Sequence, residues 1–190
     1  MTVVFQEVPL PLGLPESPVS LGPVVERRRE PARLLAPAQA ALTVVAYGLP
    51  VPQGSKRIGR RGDKPMVLDD NKNRLDRWRT TVAWAARQAM SRQFPDRKPL
   101  DGPLAAEVTF TLPRPRTVKR AWPLGQGEGD VDKLLRAVFD ALSVNVKAVR
   151  EDARFVQVLA RKVYPGSGVV DALEEPGVVA HVWRMPEAGV

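Results

Sequence analysis

The chain has 190 residues, 44% of them hydrophobic, with 29 Lys and Arg against 21 Asp and Glu, a formal net charge of +8. That size and apolar content suit one soluble domain with a core of its own plus an appendage, and the charge points to polyanions, nucleic acid first among them. The absence of Cys excludes disulfides, thiolate zinc sites and cysteine nucleophiles, while the single His181 leaves little for Ser-His-Asp catalysis or a histidine metal site.

Residues 1–40 are rich in proline and carry a charged knot at Glu26-Arg27-Arg28-Arg29-Glu30. Such a composition forbids a stable helix or central strand over most of its length, so a largely disordered arm is expected there and a folded domain over residues 41–190. The domain should open with a strand at Leu42–Leu49, closed by Pro50 and Pro52. Next comes a glycine-rich basic segment, Gln53 to Lys64, read as a loop whose Lys56, Arg57, Arg60 and Arg61 suit phosphate contacts that carry no sequence information. It lacks the spacing of a nucleotide-binding P-loop.

From Asp70 to Arg92 the apolar residues Leu75, Trp78, Val82, Ala85 and Ala89 fall on one stripe, which predicts a helix with Trp78 in the core. Alternation of Ala106, Val108, Phe110 and Leu112 with Glu107, Thr109 and Thr111 then predicts a half-buried strand. The long segment that follows holds Arg114, Arg116, Lys119 and Arg120 and leads into Gly125, Gly127 and Gly129; a basic loop of this length in a small domain is expected to lie over a functional site.

A second helix is predicted from Asp130, because Val131, Leu134, Leu135, Val138 and Leu142 recur at helical spacing. Asp130 suits its N-cap and Asp132 its first turn, so a plain helix start explains both carboxylates. A second explanation is a hard cation: Asp130, Asp132 and Asp152 form an oxygen-only set of the kind that suits Mg²⁺ or Mn²⁺, in a chain otherwise dense in Lys and Arg. Strands are expected at Phe155–Tyr164 and Gly177–Met185, the second containing His181. The fold class is therefore mixed α/β, a small sheet with two helices in β-α-β-α-β-β order. No apolar run nears the roughly 18 residues of a membrane helix and the first residues lack a basic signal-peptide start, so a cytoplasmic protein without a membrane partner is expected.

Taken together, Gly48-Leu49-Pro50, Ser55-Lys56-Arg57, Asp130-Val131-Asp132-Lys133-Leu134 with Phe139-Asp140-Ala141-Leu142 behind it, the pair Glu151-Asp152, and Lys162 resemble the RusA family of Holliday-junction resolvases. The resemblance spans about residues 42–185 and leaves the arm outside. It implies a homodimer that uses Mg²⁺ or Mn²⁺ to make paired, symmetrical incisions in four-way junction DNA, in recombination, repair or phage DNA processing. By position it makes Asp130, Asp132 and Asp152 the catalytic, metal-binding aspartates. Arg136 stands where the family usually has a catalytic lysine, Glu151 opens the second acidic pair, and Gly129 replaces a frequent proline. Arg136 would support the carboxylates or stabilise transition-state charge, its alternative being a helix salt bridge to Asp132 or Asp140. Lys133 and Lys162 would join the loop cations in holding DNA. A junction-binding protein on the same fold that does not cut is the alternative function.

Overall fold

The computed structural model describes residues 37–54, 57–61, 64–68, 72–94, 96 and 98–186. The expected arm over residues 1–36 and the expected DNA contact Lys56 lie outside them, as do the side chains of Arg57, Arg60 and Arg61. Beyond a short 3-10 turn at Pro37–Gln39, the elements are β1 (Leu42–Tyr47), β2 (Arg57–Arg61), β3 (Lys64–Leu68), α1 (Lys72–Gln93), β4 (Leu104–Thr111), α2 (Val131–Asp140), β5 (Phe155–Val163) and β6 (Gly177–Arg184). All six elements expected from the sequence form. Within the segment read as a loop, β2 and β3 instead pair antiparallel, Arg57 opposite Leu68 and Arg61 opposite Lys64. The two residues between them in the sequence, Gly62-Asp63, are a pair suited to a tight hairpin connection, and that signal was overlooked.

The main sheet has the order β1-β6-β4-β5. β6 runs antiparallel to both neighbours and β4 is parallel to β5, so β1, β4 and β5 point the same way and their C-terminal ends share one edge. One face of the sheet carries Leu42 and Val44, Leu104, Val108 and Phe110, and Val178 and Val182 into a single core. Both helices pack there. α1 contributes Leu75, Trp78, Val82, Ala85 and Ala89, the stripe predicted from its periodicity, with Ala86 in addition, and α2 contributes Leu134, Ala137 and Val138 before its last turn widens into a π-turn at Ala141–Asn145. Arg79 of α1 donates to the Asp140 carboxylate of α2, which locks the helices to each other.

β4 is buried along its whole length, where half-burial was expected. Glu107, Thr109 and Thr111 do alternate with the core residues, but the segment between β5 and β6 folds over their face: Leu173 N–H donates to Thr111 Oγ1 at 2.9 Å, and Asp171 lies 3.3 Å from His181 of β6. Glu107 is compensated by Arg161 at 2.6 Å, the ionic partner a buried carboxylate requires. His181 also shares a 2.9 Å hydrogen bond with Thr43 of β1, so it is a sheet residue, as expected.

Candidate active site

The loop after β4 must cross the C-terminal edge of the sheet before the chain can enter α2, and a largely buried carboxylate organises that crossing. Glu128 accepts from the Tyr164 hydroxyl, from the Gly125 N–H and from the Arg120 guanidinium at 2.9 Å. Burial pushes the Glu128 carboxyl up, but its three donors together outweigh burial and hold its pKa below the ordinary glutamate value. Tyr164 is shifted the other way, first by burial and then by the Glu128 carboxylate beside it. No sequence pattern had singled out Glu128, although an acid two residues before an Asp-x-Asp in a glycine-rich stretch was visible.

The same loop uses some of its cations internally. Arg114 donates to the carbonyls of Val118, Lys119 and Arg120 at 2.9–3.2 Å, and its guanidinium sits 5.3 Å from the centre of the Tyr164 ring. Arg120 closes the loop on Glu128 and on the Trp122 carbonyl. Arg116 and Lys119 are exposed. Of the loop residues expected to hold DNA, two therefore shape the loop and two face outward.

Gly129 makes the last turn before the helix at φ +74°, a conformation proline cannot adopt. Lys162, at the far end of β5, donates to the Gly129 carbonyl at 2.6 Å and pins that turn to the sheet. Asp130 follows in the N-cap position with extended backbone, yet its side chain makes no capping hydrogen bond. It turns to Lys133 at 2.6 Å, and the side chain remains 64% exposed. The Lys133 hydrogen bond and charge, with a further contribution from Lys162, hold the Asp130 carboxyl below its ordinary pKa; the Lys133 ammonium is raised in return, by Asp130 first. Asp132 is exposed one residue into α2 and, among the described residues, makes no hydrogen bond or ion pair. Asp130 thus holds the N-cap position without side-chain capping, its carboxylate being paired with Lys133 instead.

Arg136 lies one turn after Asp132 on the same exposed side of α2. Among the described residues it joins neither Asp132 nor Asp140 in an ion pair, Asp140 being taken by Arg79. Asp152 is elsewhere. It begins a short 3-10 turn before β5, exposed, while Arg150 and Arg154 beside it both turn to Asp101, at 2.7 and 3.1 Å. The Arg150 hydrogen bond leads the effects that lower the Asp101 pKa. The front of α2 meets the end of β5 through Lys162, and its back meets the start of β5, where Phe139 and Phe155 stack at 4.0 Å. From Phe155 to Lys162 the strand advances seven residues, so at about 3.3 Å per residue roughly 23 Å of β5 lies between its Asp152 end and the lysine that pins the Gly129 turn. The structure thus gathers Asp130, Asp132, Lys133 and Lys162, sets Arg136 alongside, and leaves Asp152 at the opposite end of the sheet. Among the described residues no three acidic or histidine side chains come close enough to hold one ion.

No helix among the described residues is long and apolar enough to cross a membrane. None of the curated proteins compared with the chain matches it. The model of the family described as endodeoxyribonuclease RusA matches residues 48–171, a span that begins just after β1 and takes in both helices, the basic loop, β5, Asp130, Asp132, Asp152 and Lys162. The chain belongs to the RusA endodeoxyribonuclease family.

Proposed function

We propose that the protein is a divalent-metal-dependent endonuclease that resolves four-way DNA junctions as a homodimer, each active site combining Asp130 and Asp132 of one subunit with Asp152 of the other. RusA-family enzymes act on Holliday-junction DNA, the branched intermediate of recombination, repair and phage DNA processing. The observation that carries the reading is the pair of ionisable carboxylates at the open front of α2, committed neither to capping nor to the core. Two carboxylates with room for phosphate oxygens and water are a donor set that suits Mg²⁺ or Mn²⁺.

The separation of Asp152 is what recommends the shared site. β5 is an edge strand, with one side bound to β4 and the other open. On that strand stand exposed aliphatic residues, Val156 at 65% and Val158 at 38%. An unpaired edge bordered by apolar side chains invites a second strand, and an isologous two-fold contact satisfies both copies at once. Two β5 strands paired antiparallel about that axis bring the start of one beside the end of the other. Asp152 of each subunit then approaches Asp130 and Asp132 of its partner, and two equivalent sites result, as symmetrical incision requires.

A bound magnesium or manganese ion supplies Lewis acidity toward the phosphate and toward the attacking water. The chain's own residues do the rest. Lys162 and Glu128 fix the turn that presents Asp130, and Lys133 keeps the Asp130 carboxyl ionised. Arg136 offers a fixed positive charge one turn from Asp132, where negative charge develops on the phosphate in the transition state. No protein nucleophile is required, and His181 is buried in β6 away from this edge. The β2–β3 ribbon, with Arg57, Arg60, Arg61 and Lys64 in its sequence, and the outward Arg116 and Lys119 hold the DNA backbone. The test is incubation of the purified protein with labelled four-way junction, duplex and single strand, in magnesium and in chelator. Paired nicks in the junction alone, abolished by chelator, are expected; metal-independent junction binding with no cutting would refute the enzyme reading and leave a binding protein.

A further inference from the structure

The segments that follow β1 and β4 and the loop that precedes α2 enclose a cavity of about 470 Å³, within the range of sites that hold small molecules. Pro50 and Pro52 line it from one side and Leu112, Pro113 and Pro115 from the other. These walls are apolar, and the prolines among them offer no N–H to a ligand. Arg74 and Arg120 add cations to the same lining, Arg120 being paired there with Glu128. The cavity adjoins the turn that presents Asp130, because a Cβ on Gly129 would come within 3.0 Å of Pro52.

Glycine usage around the cavity supplies the second observation. At Gly125 an added Cβ would meet the Arg120 guanidinium at 2.9 Å and the Glu128 carboxylate at 3.1 Å, and at Gly129 both φ and Pro52 oppose a side chain. Gly127 faces neither restriction: its φ is not positive and an added Cβ would have no neighbour within 4 Å. Packing and backbone geometry would accept a larger residue there, and glycine inside a helical turn is the entropically unfavourable choice. What its bareness does achieve is to leave the lining of the cavity clear on the side of Asp130.

We propose that this cavity receives an unstacked nucleobase of the strand being cut, adjacent to the scissile phosphate. The proposal rests on the reading of the chain as a junction endonuclease. An apolar slot with cations in its lining matches a base carried on a phosphate backbone, and the reacting phosphate would lie just outside, at Asp130. Stacking is interrupted at a branch point, so drawing a base out there costs less than in continuous duplex. Seating that base would set the position of the neighbouring phosphate.

The test uses four-way junctions carrying one 2-aminopurine at successive positions flanking the cut mapped in magnesium, with the native protein bound in calcium. Fluorescence should rise several-fold at one flanking position and stay flat in duplex of the same sequence. Gly127→Phe and Leu49→Phe, which add bulk at two residues of the cavity lining, should lose that rise while their melting temperatures stay near native. A native protein that binds and cuts the junction with no rise at any flanking position, or a rise undiminished in both folded variants, would overturn the proposal. A protein that neither binds nor cuts the junction would overturn the functional reading and the base site together.

Discussion

Replacing Glu128 by glutamine tests whether one largely buried carboxylate holds the loop that presents Asp130. The native side chain is only 10% exposed and accepts from Tyr164, Gly125 and Arg120. Glutamine keeps the shape and one acceptor oxygen, but turns an NH₂ toward groups that are themselves donors. Leaving the more exposed Arg120 out of the count, the loss is about one hydrogen bond to a charged acceptor, roughly 2 kcal/mol. For a domain of this size that lowers Tm by about 4–8 °C, measurable by circular dichroism at pH 7. The Glu128 pKa is depressed in the folded state, so its contribution is present above the unfolded value and is lost as pH falls through the folded one. The gap between native protein and Glu128→Gln should therefore close in acid, below about pH 4. A variant that melts with the native protein at pH 7, or a gap that widens on acidification, would refute this role for Glu128.

Six further substitutions, at five positions, address the chemistry. Asp130→Asn, Asp132→Asn and Asp152→Asn should each abolish cutting while gel-shift affinity for the junction stays level or tightens, since each removes a metal ligand and a negative charge from a DNA-facing surface; wild-type rates in all three would dismiss the metal site. Arg136→Ala should slow cleavage about a hundredfold, the scale of one lost electrostatic stabiliser, and Arg136→Lys should stay within a few fold. An alanine variant that cuts normally would make Arg136 a surface residue, and a lysine variant far faster than native would mark the native enzyme as attenuated. Lys162→Met should lower single-turnover cleavage more than it lowers Tm, because it frees the Gly129 turn without opening the core; equal cutting rates would show that Asp130 needs no such clamp.

Both helices and the four strands of the main sheet were legible because their apolar spacing is strong and their burial follows it, with Trp78 in the core as its stripe required. What local pattern could not show was contact over distance. Burial of Glu107, Thr109 and Thr111 depends on the segment before β6 folding back over them, and nothing in β4 itself encodes that. The distance of Asp152 from the other two aspartates has a topological reason. A helix that links two parallel neighbouring strands begins at the C-terminal end of the first and finishes at the N-terminal end of the second, so acids at the helix start and at the next strand start occupy opposite edges. Asp130 and Asp132 were legible as a pair, while their distance from Asp152 in one subunit follows from strand order alone.

Subunit mixing tests the shared site most directly. Asp132→Asn and Asp152→Asn proteins, each inactive alone, are unfolded together, refolded as a mixture and assayed on labelled junction in magnesium. If each site draws Asp132 from one subunit and Asp152 from the other, every mixed dimer carries one intact and one doubly damaged site. Random pairing then restores about a quarter of the native sites, and the product is junction nicked on a single strand. If each site lies within one subunit, both sites of the mixed dimer carry one substitution. The mixture then stays as inactive as its parents, and that result would contradict the account.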